Sequence, residues 1–177
     1  EDSMRYRKIE KVSRDLFRDF KRRQDVNICW RKEEGEWVLR SDPFVDDWSE
    51  EDYQFLVRCL QNTINTGGLV CGAFTEEGKL KGFVSVEKEP MGSRNHYRDL
   101  TSIHVSQDMR RNGIGRVLFQ SAADWAREQG AEKLYISSHS AAETQAFYRG
   151  LGCVDAVEVQ EKHVLAEPYD CQLEYLL

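Results

Sequence analysis

The most informative segment of the sequence is Val105-Ser106-Gln107-Asp108-Met109-Arg110-Arg111-Asn112-Gly113-Ile114-Gly115-Arg116. Before it, residues 99–107 alternate between apolar and polar side chains, which predicts a β-strand. After it, apolar residues recur at steps of three and four as far as Gly130, which predicts a long amphipathic helix. The segment is therefore a polar turn with two glycines between a strand and a helix.

Such a turn can bind phosphate. The first N–H groups of a helix have no intrahelical acceptor, and the helix start carries a partial positive charge. Glycine at positions 113 and 115 lets a ligand approach the backbone closely. Arg110, Arg111 and Arg116 add guanidinium groups, whose donors suit phosphate oxygens. The turn is a candidate phosphate-binding loop.

Three kinds of phosphate-binding loop have this outline. A dinucleotide loop, Gly-x-Gly-x-x-Gly, would need glycine where Leu118 stands. A nucleoside-triphosphate loop needs Gly-Lys-Ser/Thr, but Gly115 is followed by Arg116 and Val117. The third is the acyl-coenzyme A loop, Gln/Arg-x-x-Gly-x-Gly/Ala, which Arg110, Gly113 and Gly115 match. A plain turn without a ligand stays open as an alternative.

Periodicity elsewhere predicts a mixture of strands and helices. The predicted helices lie at 11–23, between Ser49 and Gly67, at 114–130 and at 141–152. The predicted strands lie at 4–9, in a hairpin at 27–44 that turns at Glu34-Gly35 and is interrupted by Pro43, at 69–75, 79–89, 99–107 and 133–139, and as a final pair within 157–176. This order predicts an α/β fold: one mixed, mostly antiparallel central sheet with helices on both faces.

Length and charge narrow the class of protein. The 177 residues suit one domain, 1–177, in which residues 1–3 are interpreted as a cloning remnant ahead of Met4. Because 31 Asp and Glu outnumber 25 Lys and Arg, we expect no general nucleic-acid binding. The chain has no run of ~18 apolar residues and no basic start followed by an apolar stretch, so we expect no membrane association and a cytoplasmic location. The five scattered cysteines predict reduced, mostly buried thiols and no metal site.

Around the loop, the chain resembles the GCN5-related N-acetyltransferase superfamily. Its members share a strand, this loop, a helix, another strand, and a helix with Phe-Tyr before Leu-Gly; here these are LTSIHV, RRNGIG, RVLFQSAADWAREQG, KLYISSH and AFYRGLG. The resemblance covers about residues 69–155. It implies the superfamily's fold and direct transfer of an acetyl group from acetyl-CoA to a primary amine in a ternary complex.

The resemblance also implies a cofactor site. The pyrophosphate is expected on the backbone amides from Arg110 to Gly115, and the pantetheine arm along the third-strand backbone at Ile103, His104 and Val105. The remaining expected contacts come from Arg111, Asn112, Gly113, Ile114, Arg116, Ser138, Thr144 and Phe147. Many members carry Asn where this chain has Ala141, so we expect Ser138, Ser140 or Thr144 to replace that polar contact.

Tyr148 matches the superfamily's frequent general acid. A phenol has a reference pKa of ~10 and a thiol ~8.5, so Tyr148 is expected to donate a hydrogen bond to the leaving sulfur and to transfer its proton late. A half-buried structural tyrosine is the alternative. The oxyanion is expected to bind a backbone N–H near Val105.

The general base is expected to be Asp99, with His104 ranked below it. Asp99 stands six residues before Val105, where some members carry a glutamate base. An ordinary carboxylate has a pKa of ~4 and an alkylammonium group a pKa of ~10, so the carboxylate cannot efficiently deprotonate the ammonium directly. Proton transfer therefore requires a water relay or a raised carboxylate pKa. His104 has the better intrinsic pKa, but its side chain points away from that of Val105.

The acceptor site is expected in the acidic, aromatic loop ahead of the second predicted helix. Its candidate residues are Phe44, Asp46, Asp47 and Trp48. Charge and cation–π attraction there would favour a small cationic amine. A solvated loop with helix-capping carboxylates is the equally weighted alternative. In the tail, Glu161, His163 and Tyr169 are expected to close the same cleft.

Two further functions stay open at this point: acetylation of a protein N-terminus or lysine, and a non-catalytic acyl-CoA-binding regulatory module. Members of the superfamily are often dimers, so a homodimer through the C-terminal strands or the hairpin at 27–40 is also an expectation.

Overall fold

The computed structural model describes residues 3–177. Residues 1 and 2, which make up most of the segment interpreted as a remnant, lie outside that range. The described helices are α1 (Glu50–Asn65), α2 (Ile114–Glu128), α3 (Ala142–Leu151) and α4 (Glu161–Ala166). The strands are β1 (Arg5–Lys8), β2 (Gln24–Glu33), β3 (Glu36–Asp46), β4 (Leu69–Phe74), β5 (Leu80–Val86), β6 (Tyr97–Val105), β7 (Lys133–Ser138), β8 (Val154–Asp155) and β9 (Cys171–Leu176). None of these helices combines the length and the apolar character that crossing a bilayer requires.

Seven strands form the central sheet, in the order β1-β4-β5-β6-β7-β9-β8. Neighbouring strands are antiparallel except β6 and β7, which are parallel. Side chains of β4 alternate between two buried clusters: Cys71 and Ala73 pack with α2, whereas Val70 and Phe74 pack with α1 and the N-terminal segment. Both faces of the sheet are therefore covered, which confirms the predicted fold class.

The parallel pair β6–β7 separates halfway along its length. Pairing extends only from Tyr97 opposite Lys133 to Asp99 opposite Tyr135. Just beyond, the register between β5 and β6 shifts at Thr101, because Val86 pairs with Leu100 and Ser85 with Ser102. A bulge of this kind bends a strand locally. The two strands therefore diverge toward their carboxyl ends and leave a cleft.

Helix α1 begins and ends as the sequence predicts. The hydroxyl of Ser49 accepts from the N–H of Asp52 at 3.2 Å, and the Asp52 carboxylate accepts from the N–H of Ser49 at 2.8 Å. This reciprocal capping box satisfies two amides that the helix itself leaves unpaired. Helix α2 begins after Gly113, whose φ of +77° is a conformation that only glycine adopts without strain.

The hairpin at 27–44 is confirmed, but its strands are longer than predicted. Glu34 and Gly35 form the turn with φ angles of +51° and +82°. β3 continues through Pro43 to Asp46 and pairs with β2 in a separate two-stranded sheet. Pro43 is tolerated because the register shifts there, so that no partner on β2 requires its missing N–H.

The helix predicted at 11–23 is wrong. Only a single 3-10 turn, Arg14–Phe17, forms in this segment. Its backbone groups bind distant partners instead: the N–H of Val12 donates to the Gln61 side chain at 2.9 Å, and the N–H of Lys21 donates to the Ser106 hydroxyl at 2.9 Å. The apolar residues that suggested a helix are buried against the sheet from an irregular chain.

The pair of strands predicted at 157–176 is half right. β9 forms, but the preceding residues form α4, and the short strand β8 lies earlier, at Val154–Asp155. Backbone amides between β8 and α4 donate to side chains and not to a neighbouring strand. The N–H of Val157 donates to the Glu174 carboxylate at 2.9 Å, and the N–H of Gln160 donates to the Tyr135 hydroxyl at 2.9 Å. The chain therefore leaves the sheet and α4 lies across its edge.

Candidate active site

A cavity of about 280 Å³ occupies the cleft between the diverging ends of β6 and β7. Its walls are these two strands, α3, the start of α2 and the segment ahead of β2. The predicted cofactor residues that line it are Ile103, His104, Val105, Arg110, Gly115, Ser138, Thr144 and Phe147. The predicted acid Tyr148 also lines it, whereas Asp99 does not.

The backbone of β6 points hydrogen-bonding groups into the cleft, and one of them, the carbonyl of Val105, accepts from Nε of Arg110 at 3.3 Å. The N–H of Ser106 donates to the carbonyl of Lys81 at 2.8 Å. In an antiparallel ladder, hydrogen-bonded pairs alternate with non-bonded ones, so His104 and Ser102 also face β5. The N–H and C=O groups of Ile103 and Val105 then point to the side from which β7 has diverged. An extended ligand arm could bind there as an added strand does.

Seven consecutive amides between β6 and α2 are unpaired. Among the hydrogen bonds of residues 3–177, none has a backbone N–H of residues 110–116 as its donor. Arg111, with φ +67°, and Gly113, with φ +77°, turn the chain so that it enters α2. Unpaired amides at a helix start are suited to a doubly charged anion such as a diphosphate. The loop therefore fits the group that its motif implies.

Gly115 is required by a close contact. A β-carbon at this position would lie 3.0 Å from the ring of Phe147. The ring thus packs directly on the helix backbone and forms one wall of the cleft. Glycine at this position keeps the start of α2 and α3 close together.

Thr144 is the free polar side chain near Ala141. The hydroxyl of Ser138 donates to the carbonyl of Cys171 at 2.8 Å and accepts from Gln145 at 2.8 Å. The hydroxyl of Ser140 accepts from Arg31 at 2.6 Å. Both serines are therefore engaged within the protein, whereas Thr144 lines the cleft.

Tyr148 is buried, but its hydroxyl is available to a ligand. The side chain lies on the cleft wall, and its hydroxyl bonds to no residue in the described part of the chain. Burial, followed by the nearby Cys153 and Asp170, raises the pKa of Tyr148. The phenol therefore stays protonated at neutral pH and can act as a hydrogen-bond donor.

A second cavity, of about 540 Å³, lies on the other face of the sheet, between α1 and strands β5 and β6. It shares Thr101, Ser102 and His104 with the first cavity, so β6 forms a common wall. Its remaining charged and aromatic lining consists of Asp52, Glu87, Asp99, Lys162, Trp48 and Phe55. Three carboxylates against one ammonium give this cavity a negative potential.

Asp99 is held at the wall of this second cavity. Its side chain is 7% exposed, and Nε2 of His163 donates to its Oδ2 at 2.7 Å. The ring of His163 stacks on Tyr135, which fixes the position of α4. The other oxygen, Oδ1, is buried and has no partner among the described residues. A buried carboxylate oxygen without a donor is costly, and a bound amine would satisfy it.

His104 is a poor proton acceptor. Burial, followed by the positive charges of Arg22 and Arg110, lowers its pKa to about 3. Its ring lies edge-on to Trp48, with the centroids 4.9 Å apart, and beside Phe83. Its side chain is therefore a neutral part of the wall between the cavities.

We expect His104 to make the folded protein sensitive to acid. Its pKa of about 3 in the folded state lies below the value of ~6.5 in the unfolded chain, so the unfolded chain binds the proton first. Stability is then full above pH ~6.5 and decreases by up to about 1.4 kcal/mol per pH unit as the pH falls toward 3. In His104→Phe and His104→Gln, the free energy of unfolding in urea should change less between pH 7 and pH 4.5. A pH dependence equal to that of the wild type in both variants would contradict this assignment.

The four residues predicted to bind the acceptor are dispersed. Trp48 lines the second cavity. Asp46 accepts from Arg22 at 3.0 Å, Asp47 is exposed, and Phe44 packs beside His139 with the centroids 5.6 Å apart. The acidic lining comes instead from α1, β6 and the end of β5.

Sequence reasoning missed several of the lining residues. Glu87 directly follows the apolar end of β5, and its carboxylate accepts from Thr63 at 2.5 Å. The strand pattern places it next to β6, a signal that could have found it. Arg22 stands in the run Lys21-Arg22-Arg23, which resembles an ordinary solvated surface and gives no signal.

Comparison with known proteins identifies the family. The model of the "Acetyltransferase (GNAT) family" matches residues 30–153. A streptothricin acetyltransferase of Streptomyces lavendulae is 42% identical over 60 residues, which are 34% of this chain and 30% of that protein. The match thus spans less than a third of the curated relative.

Two solved structures share the fold over nearly the whole chain. One is described as a streptothricin acetyltransferase from Bacillus anthracis in complex with acetyl coenzyme A, at 19% identity and TM-score 0.70, covering 99% of this chain and 98% of that one. The other is a nourseothricin acetyltransferase, at 20% identity and TM-score 0.66, covering 97% and 95%. The family model matches more than half of the chain, and the chain belongs to the GNAT family of acetyltransferases.

Proposed function

We propose that the chain transfers the acetyl group of acetyl-CoA to a primary amine of a small cationic acceptor within a ternary complex. The observation that carries this proposal is that two cavities on opposite faces of the sheet share Thr101, Ser102 and His104. A donor in one cavity and an acceptor in the other would meet at β6. Acetyl-CoA supplies the activated thioester when it is bound.

The cleft holds the coenzyme in this proposal. The amides of residues 110–116 bind its diphosphate, and the backbone groups of Ile103 and Val105 bind its pantetheine arm. A backbone N–H of β6 near Val105 binds the thioester oxygen as negative charge develops on it. The phenol of Tyr148 donates a hydrogen bond to the sulfur.

The second cavity binds the amine. Glu87, directly after β5, lies beside Asp99 on β6, because the N–H of Glu87 donates to the carbonyl of Asp99 at 2.9 Å. Together with Asp52 they attract a cation, and Trp48 offers an aromatic face. Asp99 Oδ1, buried and unpaired among the described residues, accepts the amine's proton directly or through water.

The small-molecule acceptor is favoured over a protein by the burial of this site. Asp99 lies at the inner wall of the cavity beneath α1, with only 5% of the residue exposed. Two of the similar proteins are named for streptothricin, which makes that antibiotic a suitable member of an acceptor panel.

A thiol-release assay with acetyl-CoA tests this function. The panel should contain streptothricin, a linear polyamine, free lysine, an uncharged alkyl alcohol, and peptides with a free N-terminus or a lysine. We expect turnover with at least one small polycationic amine, and kcat/KM for peptides at least about 10-fold lower. Preferred peptide acetylation would contradict the small-molecule assignment. CoA binding without any turnover would favour a regulatory module, and absence of CoA binding would refute the function altogether.

A further inference from the structure

Arg22 is a buried cation held against the cofactor cleft by the N-terminal segment. Both backbone groups of Lys21, the residue before Arg22, are hydrogen-bonded. The N–H of Lys21 donates to the Ser106 hydroxyl at 2.9 Å, and the carbonyl of Lys21 accepts from the N–H of Gln107 at 2.7 Å. These contacts place Arg22 next to the end of β6, on the wall of the cleft. Only 7% of the residue is exposed.

Most of the guanidinium group has no partner. Nη2 donates to the carboxylate of Asp46 at 3.0 Å, and the group lies over the ring of Trp48, 5.0 Å from its centroid. Nε and Nη1 are buried and bond to nothing in residues 3–177. Buried N–H groups of a cation without an acceptor are costly, so that an acceptor is expected to enter the cleft.

A second guanidinium shares this cleft. Nε of Arg110 donates only to the carbonyl of Val105, at 3.3 Å. Burial, followed by the positive charge of Arg22, lowers the pKa of Arg110, so the two cations are close enough to repel. Within the described chain, Glu143 is the single acid on the cleft wall. A ligand with more than one negative charge would relieve both the repulsion and the missing acceptors.

We infer that Arg22 binds the diphosphate of the coenzyme together with the amides of residues 110–116. This inference rests on the proposed function, which places that diphosphate at the start of α2. The N-terminal segment would then contribute directly to cofactor affinity, although the motif that identifies the cofactor loop lies about 90 residues later in the chain. Nε and Nη1 each carry an N–H donor without a partner in residues 3–177, and each can donate a charge-assisted hydrogen bond to a phosphate oxygen.

Calorimetric titration with CoA and with 3′-dephospho-CoA tests the inference. Arg22→Met removes the charge but keeps an unbranched apolar stem, and Arg22→Lys keeps the charge for Asp46 but loses the Nε and Nη1 donors of the guanidinium. We expect Arg22→Met to weaken both ligands by the same factor, about 10- to 100-fold, as for the loss of charge-assisted hydrogen bonds. Arg22→Lys should fall between Arg22→Met and wild type. Arg23→Met, at the exposed neighbouring position, should bind like the wild type.

One further variant distinguishes a coenzyme-binding role of Arg22 from a purely structural role. Asp46→Asn removes the ion pair but leaves the guanidinium in place, so a binding role predicts affinity equal to or higher than that of the wild type. A loss in Asp46→Asn as large as that in Arg22→Met would overturn the inference, as would unchanged affinity in both Arg22 variants. A loss confined to CoA and absent with 3′-dephospho-CoA would assign Arg22 to the 3′-phosphate and refute the diphosphate contact. If the wild type binds neither ligand, the proposed function itself fails.

Discussion

Asp99→Asn is expected to lower kcat/KM for the amine acceptor by about 100-fold, the lower range of general-base contributions, and to leave CoA affinity within about twofold. The asymmetry follows from the two cavities. Asp99 lines only the cavity beneath α1, and its unpaired Oδ1 is the carboxylate oxygen that can take up a proton there. The amide of asparagine has the same shape but accepts no proton. Steady-state kinetics with the best acceptor and calorimetry with CoA measure both effects.

A substitution of His163, which donates to Asp99, should have a smaller effect on the same kinetics. His163→Gln keeps a side-chain N–H within reach of Asp99 but removes the ring that stacks on Tyr135. It should lower kcat less than Asp99→Asn does, because it disturbs the position of the carboxylate and not the carboxylate itself. Asp124→Asn, on the exposed face of α2, is the matched control and should have wild-type kinetics. Wild-type kinetics in Asp99→Asn would exclude this carboxylate from the reaction.

Sequence patterns predicted an element correctly where the residues that stabilise it lie within the same segment. The Ser49–Asp52 capping box and the apolar spacing of α1 are both readable from residues 49–65. The turn at Glu34-Gly35 is similar, because Gly35 suits the positive φ angle that the turn requires. The loop before α2 was recognisable because its glycine spacing predicts exposed backbone amides, and none of the amides of residues 110–116 donates a hydrogen bond within residues 3–177.

The same patterns failed where distant residues supply the hydrogen bonds. Residues 11–23 have the apolar spacing of a helix, but Ser106 accepts from the amide of Lys21, which a helix would use, and Gln61 binds the amide of Val12 at the start of the segment. Residues 160–166 leave the sheet because Tyr135 and Glu174 provide acceptors for the chain ahead of them. Such partners are more than ten residues away along the sequence, so periodicity within one segment cannot reveal them.

The second cavity, the proposed acceptor site, shows that sequence patterns are also limited in identifying the residues that line a site. Its carboxylates come from α1, β5 and β6, and each is a single acidic residue among 31 in the chain. The acidic loop at 44–48 was the denser signal, but folding pairs Asp46 with Arg22 and leaves only Trp48 at the cavity. Charge density along the sequence therefore indicated a region near the cavity, but it did not indicate which carboxylates line the cavity.

Tyr148→Phe is expected to lower kcat by about 10- to 100-fold, with CoA affinity retained. The hydroxyl is the one atom removed, and it bonds to no described residue, so the substitution breaks no internal hydrogen bond. The effect should therefore report on the leaving sulfur alone. Tyr6→Phe, on the edge strand β1, removes a hydroxyl far from both cavities and serves as the matched control.

The pH dependence makes this prediction specific. Because burial raises the pKa of Tyr148 above the ordinary value of ~10, its phenol remains protonated throughout pH 6 to 9. The ratio of wild-type to Tyr148→Phe kcat should then be constant over that range. A ratio that falls toward 1 as the pH approaches 9 would mean that the wild-type phenol ionises there, and the burial argument would be wrong. Equal kcat for wild type and variant at every pH would instead show that protonation of the sulfur comes from water, and that Tyr148 only lines the cleft.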